Sequence, residues 1–330
     1  MKEWNAGTLL SVSSAYWRGC ALQAAVRLRI FTVLASASMT ASELATKIAS
    51  DPEGTALLLD AITAMGLLRK EDDSYANTST ARTLLVADSP AYLGHIILHH
   101  HHILDGWAQL DAVVRTGQPV QRRSYGEAVE RESFLLGMFN LAMGLAPILA
   151  KKIDLAGRRR LLDLGGGPGT YAIHFCLANP ELRAVIFDRP STEPFARRTT
   201  AQFGVAERID FVAGDFTRDP LDGGPYDVAW LSHVLHSNTV EACERLIANT
   251  LAAMAPGGLI MIHDFILDDR KDGPEFPALF SLNMLIAGNG GRSYAVGEIT
   301  AMLAKAGVKD IHHHPFRAPN DSSILIGTVG

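Results

Sequence analysis

The sequence predicts an α/β fold, with an all-helical first half followed by a Rossmann-like sheet of seven strands. Apolar residues recur at helical spacing as far as about residue 150, and from Leu161 short apolar strands alternate with helices. The glycine-rich run Asp163-Leu164-Gly165-Gly166-Gly167-Pro168-Gly169 directly follows the first strand and opens a helix. A chain of 330 residues is long enough for two domains. We place them at 1–150 and 151–330.

The composition excludes several classes of protein. Apolar residues make up 48% of the chain and charged residues 20%, as in ordinary globular proteins. A formal net charge of -5 offers no electrostatic footprint for nucleic acid or an anionic membrane. The sequence has neither an N-terminal apolar leader nor a long uncharged apolar run, and its three cysteines are widely spaced. We therefore expect a cytoplasmic protein with a small-molecule partner, no nucleic acid, no membrane and no metal.

The first elements of the chain are predicted to be three helices and a hairpin. Apolar spacing predicts a helix over 21–35, and Thr40 with Glu43 three residues later is typical of a capped helix start. A third helix over 51–65 begins with Asp-Pro-Glu, and a hairpin follows over 67–78. This order is that of a winged helix.

The apolar side chains in the remainder of the first half predict a dimer. Residues 90–150 show further helical apolar stripes, more than a unit of this size could easily bury alone. Residues 1–20 also carry several large apolar side chains. We expect an obligate two-fold dimer in which residues 1–20 reach across to the partner.

Seven strands are predicted in the second half: Leu161–Leu164, Ala184–Asp188, Ile209–Ala213, Asp227–Leu231, Leu259–His263, Lys309–His313 and Ser323–Thr328. Helices between the first five imply right-handed parallel crossovers, whereas the last two lack an intervening helix and should pair antiparallel.

Glycines and carboxylates mark a candidate ligand site at one edge of this sheet. Gly165 and Gly167 let the backbone approach a ligand closely and leave N–H groups free at the helix start. Asp188 closes the second strand, 19 residues after the turn, where a carboxylate can accept hydrogen bonds from ribose hydroxyls. The third strand runs into Asp215 and Phe216, which lie at the corresponding edge.

In this order and spacing, the features resemble the class I S-adenosylmethionine-dependent methyltransferases. More narrowly, the chain resembles the O-methyltransferase family that includes caffeic acid, acetylserotonin and hydroxyneurosporene methyltransferases. The resemblance covers nearly the whole chain and rests on the winged-helix half, the glycine turn, Phe187 to Pro190, Gly214-Asp215-Phe216 and Leu235-His236. It implies a homodimer that methylates a hydroxyl of a small, aromatic or otherwise apolar acceptor.

The resemblance assigns donor-binding residues to the glycine turn and to the ends of the second, third and fourth strands: Asp163, Gly165, Gly167, Asp188, Asp215, Phe216 and Ser232. The turn would hold the amino-acid end of the donor and Asp188 its ribose. Asp215 and Phe216 would lie beside the adenine.

His236 corresponds to the general base of the family, and Asp264 to a carboxylate that orients it. A phenol has a pKa near 10 and attacks poorly until its proton leaves, and histidine suits the role of base. Ser237 and Asn238 follow His236 where the family usually has Asp and Trp, and Ser293 replaces a second acidic residue. The alternatives are transfer by proximity to an easily ionised acceptor such as a thiol, or a family member without methyl transfer.

The family also suggests which side chains shape the acceptor pocket: His102, Trp107, Met138, Met143, Phe280 and Met284. For the apolar residues of this set, packing in the hydrophobic core is the alternative role. His95 and His99 have metal-ligand spacing on a helix, but no acidic partner completes the motif.

Two other functions fit the sequence less well. A winged helix reads DNA in many proteins, but the helix predicted over 51–65 carries three acidic residues and no Lys or Arg, so it would repel phosphates. A nicotinamide-dependent oxidoreductase would have the turn as G-x-G-x-x-G and usually begins the chain with it.

Overall fold

The computed structural model describes residues 4–330, which divide into two compact units. One unit comprises the chain up to Leu104 together with Arg123–Asn140, and the other comprises Asp105–Arg122 together with Leu141–Gly330. Residues 105–122 and 141–150 therefore pack with the second unit. The division at residue 150, which rests on the change from a helical pattern to strands that alternate with helices, remains a prediction.

As far as Lys152 the chain is mostly helical, with three short strands: α1 (Ala6–Ser13), α2 (Tyr16–Arg27), α3 (Ile30–Val33), β1 (Met39–Thr40), α4 (Ala41–Ile48), α5 (Pro52–Ala64), β2 (Leu68–Glu71), β3 (Ser74–Asn77), α6 (Ser79–Leu85), α7 (Gly94–Trp107), α8 (Leu110–Thr116), α9 (Glu127–Met143) and α10 (Ala146–Lys152). The strands form an antiparallel sheet in the order β1-β3-β2. Naming this region a winged helix stays an interpretation.

Capping signals in the sequence predicted the starts of two of these helices correctly. Thr40 and Glu43 form the predicted reciprocal capping box at the start of α4. The Asp51 side chain caps α5, whose first residue is a proline. Both starts depend on residues within one turn of the chain, which is why the sequence predicts them.

The single helix predicted over 21–35 is wrong. The chain breaks between α2 and α3, where Arg29 adopts a left-handed backbone with φ of 57°. The break allows Ile30 and Phe31 to enter the same core as Ala25 and Val26. Tertiary packing thus outweighs the continuous apolar period.

The second unit is built on the predicted seven-stranded sheet: β4 (Arg160–Leu164), α11 (Thr170–Ala178), β5 (Arg183–Asp188), α12 (Glu193–Gln202), β6 (Ile209–Ala213), β7 (Tyr226–Ser232), α13 (Val240–Ala252), β8 (Met254–Asp264), α14 (Glu275–Ala287), α15 (Val296–Lys305), β9 (Val308–Arg317) and β10 (Ser323–Val329). The strand order is β6-β5-β4-β7-β8-β10-β9. The first five strands are parallel, and β10 pairs antiparallel with both β8 and β9, as predicted for the last two strands.

The expectation of a helix between every pair of the first five strands is wrong at one place. Residues 214–225, which join β6 to β7, form turns and contain no α-helix. Pro220 and the run Gly223-Gly224-Pro225 lie in this connection. Proline removes a backbone donor and glycine raises the entropic cost of a helix, so these residues disfavour one.

Alternate side chains of the sheet enter separate apolar cores. Leu161 and Trp230 belong to one core, while Leu162 and Leu231 belong to the other. Such burial on both faces is expected for a parallel sheet with helices on each side. Because β4, β5, β7 and β8 are parallel, their last residues meet at one edge of the sheet.

In the described part of the chain, no single helix is long and apolar enough to cross a bilayer. The consecutive helices α9 and α10 would pass such a test together, by length and composition alone.

Candidate active site

The glycine turn after β4 leaves no room for a side chain at Gly165, Gly166 or Gly169. Gly165 has a φ of 68°, and a Cβ added there would lie 2.9 Å from Val234 Cγ2 and 3.4 Å from the Phe216 ring. Gly169 precedes α11 without a side-chain cap, so the N–H groups of Thr170 and Tyr171 at the start of that helix can meet a ligand. The turn therefore forms a backbone cradle, with Phe216 beside it.

Asp163 lies under this cradle at the end of β4. Its side chain is fully buried, and Oδ2 accepts a hydrogen bond of 3.2 Å from the Ala172 N–H. Oδ1 has no hydrogen-bond partner within residues 4–330. Burial, aided by the nearby charge of Asp188, raises the pKa of Asp163 to about 7. A buried carboxylate oxygen without a partner is suited to receive a cationic group.

Asp188 connects the end of β5 to the turn. Its Oδ2 accepts the Gly167 N–H at 2.8 Å, and its Oδ1 accepts the Arg189 N–H at 2.6 Å. Burial raises the pKa of Asp188, although these hydrogen bonds oppose the shift. The structure thus brings the predicted carboxylate into direct contact with the predicted cradle.

Asp215 is more exposed than Asp163 and Asp188, and its side chain is hydrogen-bonded within its own turn. Its Oδ1 accepts hydrogen bonds from the hydroxyl and the N–H of Thr217, at 2.6 and 3.0 Å, and these bonds lower the pKa of Asp215. It follows β6, next in the sheet to the strand that ends in Asp188.

Ser232 closes β7 and begins a chain of hydrogen bonds that the sequence does not predict. Its Oγ lies 2.8 Å from His263 Nδ1, and His263 Nε2 lies 2.9 Å from Ser322 Oγ. Burial keeps the pKa of His263 well below its ordinary value. A neutral imidazole then donates to one serine and accepts from the other, which fixes Ser232.

His236 and Asp264 form a short, buried pair. His236 Nδ1 lies 2.6 Å from Asp264 Oδ1, and the His236 N–H donates to Oδ2 at 3.2 Å. The Phe265 N–H also donates to Oδ1, at 2.8 Å. Burial would raise the pKa of Asp264, but His236 and His233 beside it outweigh burial and hold that pKa well below its usual range.

His233 is another residue of this site that sequence reasoning missed. Its Nδ1 lies 3.6 Å from the same oxygen, Asp264 Oδ1. Potential ligand atoms of His233, His236 and Asp264 all lie within 4.8 Å of one another, as in a metal-binding group. The only sequence signal was position, since His233 directly follows Ser232 at the end of β7 and precedes His236 by three residues.

Aromatic side chains pack around His236. The Phe280 ring meets the His236 ring edge-on at 4.8 Å, and Phe265 lies 4.5 Å from Phe280. Phe276 packs on Phe265 at 4.9 Å. Ser293, where the family usually has a second acidic residue, is buried, and its hydroxyl has no partner among the described residues.

The other predicted pocket residues have diverse surroundings. Trp107 donates from Nε1 to Asn283 Oδ1 at 3.1 Å, beside the buried Met284 on α14. Met143 Sδ lies 3.5 Å from the imidazole of His174, on α11. His102 and Met138 belong to the first unit, where the His102 ring stacks on Tyr125 at 4.6 Å. Their assignment to a pocket remains a prediction.

Comparisons with known proteins agree with this architecture. Residues 107–309 match the O-methyltransferase domain family, and residues 10–87 match the O-methyltransferase dimerisation domain. The chain is 33% identical to 3-hydroxy-5-methyl-1-naphthoate 3-O-methyltransferase of Streptomyces sahachiroi, over 97% of this chain and 94% of that protein. It is also 33% identical to tetracenomycin polyketide synthesis 8-O-methyltransferase of Streptomyces glaucescens, over 96% of each.

A solved structure of human N-acetylserotonin methyltransferase in complex with S-adenosylmethionine matches with a TM-score of 0.86 at 25% identity. The alignment covers 100% of this chain and 99% of that one. Fold, site and comparisons together define an S-adenosylmethionine-dependent methyltransferase. The chain belongs to the O-methyltransferase family with an N-terminal dimerisation domain, as its sequence motifs predicted.

Proposed function

We propose that this enzyme methylates a hydroxyl of a small, aromatic or otherwise apolar acceptor, with His236 as the general base and Asp264 as the residue that orients it. The observation that supports this most is the 2.6 Å contact between His236 Nδ1 and Asp264 Oδ1. A carboxylate can only accept there, so Nδ1 carries the proton and Nε2 keeps its lone pair. His236 is thereby held in the tautomer that can take a proton.

The proposed step requires the methyl donor and this base. When bound, the donor supplies a methyl group on a sulfonium sulfur, which leaves as a neutral thioether. His236 Nε2 takes the hydroxyl proton as the acceptor oxygen bonds to the methyl carbon. Asp264 stays ionised and stabilises the imidazolium that results. The rings of Phe265 and Phe280 limit the access of water to His236.

The donor-binding assignment is supported by the turn and its neighbours. The unpartnered Oδ1 of Asp163 fits the ammonium of the donor's amino-acid end, and the glycine cradle fits its carboxylate. Asp188 is expected to hold the ribose, and Asp215 and Phe216 the adenine end. Ser232, fixed by His263, completes the proposed set.

An aromatic acceptor is supported by the Phe280 ring, which packs against the His236 ring, and by the acceptors for which two relatives are named. The two Streptomyces enzymes are named for a hydroxynaphthoate and a tetracenomycin polyketide. For this chain, a hydroxylated aromatic acceptor of that size is part of the proposal. Trp107, Met143 and Met284, all of the second unit, are expected to shape its pocket.

A second candidate is transfer by proximity to a thiol or another easily ionised acceptor. Ser293 favours it, because this buried serine supplies no second carboxylate to raise the basicity of His236. An acceptor that ionises by itself would need no base. A family member without methyl transfer is the remaining alternative.

Assembly and location are also proposals. Helix α1 buries none of its residues, and Leu10 on α1 and Trp17 on α2 are 70% and 65% exposed. Together with the match to a dimerisation domain, these faces support a homodimer. The three cysteines are free, as is usual in a reducing cytoplasm.

The proposed function can be tested by methyl transfer from labelled S-adenosylmethionine to three panels: hydroxynaphthoates and other phenols, hydroxylated polyketides, and thiols. We expect label on the hydroxyl of an aromatic acceptor. Label on thiols alone would favour the second candidate, and donor binding without transfer to any panel would favour a non-methylating member.

A further inference from the structure

A row of hydrogen bonds connects Asn320 to Ser232 through the side chains of Ser322 and His263. Ser322 Oγ lies 2.9 Å from Asn320 Oδ1 and 2.9 Å from His263 Nε2. At the other side of the ring, His263 Nδ1 lies 2.8 Å from Ser232 Oγ, at the end of β7. Ser322 and His263 are fully buried, so each of their polar hydrogens is expected to lie on one of these bonds.

The direction of these hydrogen bonds is set at Asn320. The Ser322 N–H donates to Asn320 Oδ1 at 3.3 Å. Because a backbone N–H can only donate, the side-chain atom that faces it is the amide oxygen and not the amide nitrogen. The Ser322 hydroxyl therefore donates to the same oxygen and has no second hydrogen to offer. Ser322 Oγ must then accept from His263 Nε2, which carries the proton of that ring.

The tautomer of His263 in turn determines the orientation of the Ser232 hydroxyl. Burial keeps the pKa of His263 well below its ordinary value, so the ring is neutral and has its single N–H on Nε2. Nδ1 is then an acceptor, and the Ser232 hydroxyl donates to it. The Tyr171 hydroxyl, which also interacts with Ser232, can only donate there. Ser232 Oγ therefore offers a ligand a lone pair and no hydrogen.

Ser232 and Asp163 are neighbouring acceptors on one face of the sheet. In the parallel pair of β4 and β7, Asp163 lies opposite Trp230. Side chains alternate along a strand, so Ser232, the next residue of β7 on the face of Trp230, shares that face with Asp163. Ser232 also lies opposite His263 on β8. The unpartnered Oδ1 of Asp163 and the accepting Oγ of Ser232 thus lie on adjacent strands at the same edge.

We propose that Ser232 Oγ accepts a hydrogen bond from the ammonium at the amino-acid end of the methyl donor, and that His263 is the residue that positions Ser232. Ser322 and Asn320 hold His263 in the tautomer that this requires. An ammonium has only donors, so it fits an anionic and a neutral acceptor side by side. This inference rests on the proposed donor site, in which Asp163 faces the same ammonium. No group changes its protonation in this arrangement.

Two ligands test the proposal by titration calorimetry: S-adenosylhomocysteine, which has the amino-acid end, and methylthioadenosine, which lacks it. Ser232→Ala should weaken binding of S-adenosylhomocysteine about tenfold, as for loss of a hydrogen bond to a charged group, and should leave methylthioadenosine within about twofold of the wild type. A general loss of structure would weaken both ligands alike.

Two substitutions at His263 form a matched pair. The amide of His263→Gln takes the place of Nε2 and can keep the bond to Ser322, whereas the amide of His263→Asn takes the place of Nδ1 and can keep the bond to Ser232. His263→Gln should therefore resemble Ser232→Ala, and His263→Asn should resemble the wild type. In the double variant of Ser232→Ala and His263→Gln, the loss should equal that of Ser232→Ala alone, because His263 acts through Ser232.

Additive losses in the double variant, or equal losses for both ligands, would give His263 a structural role and overturn the inference. Unchanged affinity for S-adenosylhomocysteine in Ser232→Ala, with weakened affinity in Asp163→Asn, would overturn it and leave the donor site in place. Unchanged affinity in both variants would overturn the donor site as well. If thermal unfolding shows that His263→Gln does not fold, the comparison of the two ligands in Ser232→Ala, at a half-buried position, still decides the ammonium contact.

Discussion

The backbone N–H of Gly167 donates a hydrogen bond of 2.8 Å to Asp188 Oδ2. This bond joins the turn after β4 to the end of the neighbouring strand β5, so the cradle and the carboxylate form one unit. The donor site proposed above depends on that connection.

Replacement of Asp188 by alanine should therefore weaken binding of S-adenosylmethionine by at least tenfold. Hydrogen bonds to a charged group contribute about 1.5–3 kcal/mol, and the turn also loses its support. Titration calorimetry measures the effect, with Asp210→Ala at an exposed position of β6 as control. Unchanged affinity in Asp188→Ala would remove this residue from the site.

Replacement of Asp163 by asparagine should have opposite effects on donor binding and on the stability of the fold. Its pKa of about 7 lies above that of an unfolded aspartate, so ionised Asp163 destabilises the fold; this penalty shrinks as pH falls below the folded pKa and is gone only below the unfolded pKa. Asp163→Asn should raise the Tm of the ligand-free protein near pH 8, with a smaller gain near pH 5, yet weaken donor binding about tenfold or more. Equal donor affinity for both proteins would contradict the proposed contact.

His236→Ala should lower kcat by about 10² to 10⁴ with little change in donor affinity, as expected for loss of general-base catalysis. The wild-type rate should also fall as pH drops, because only neutral imidazole accepts the proton. A variant that retains most of its activity, with a pH profile set by the acceptor, would favour transfer by proximity.

Asp264→Asn should reduce kcat less than His236→Ala, since Asp264 orients the ring but takes no proton. The lowered pKa of Asp264 means that its ionised form stabilises the fold above the ordinary carboxyl range, and that this contribution is lost as pH falls. The variant should be less stable than the wild type at neutral pH by about 3–5 kcal/mol, as when one partner of a buried pair is removed. Denaturant unfolding should show that difference narrowing in acid, and a difference independent of pH would contradict the assignment.

Trp17→Glu should separate the proposed dimer, because a charge would enter an apolar face that is exposed in the single chain. Light scattering should find the wild type as a dimer and the variant as a monomer at micromolar concentration. Leu177→Glu, at an exposed leucine on α11, should remain dimeric. A stable wild-type monomer would refute the proposal.

The sequence by itself determined the features that depend on neighbouring residues. The capping box of Thr40 and Glu43, the seven strands, the antiparallel final pair and the glycine turn all follow from local spacing and residue type. Family motifs also identified His236 and Asp264 as a candidate pair, although they are 28 residues apart.

Only the tertiary structure decided which side chains meet across elements. It broke the first long helix at Arg29 to bury Ile30 with Val26, and it placed Phe280 of α14 against His236. It also turned His233 toward Asp264, a contact that no motif signals. Periodicity and capping report interactions within a few residues of the chain, whereas these contacts result from packing between strands, helices and loops distant in sequence.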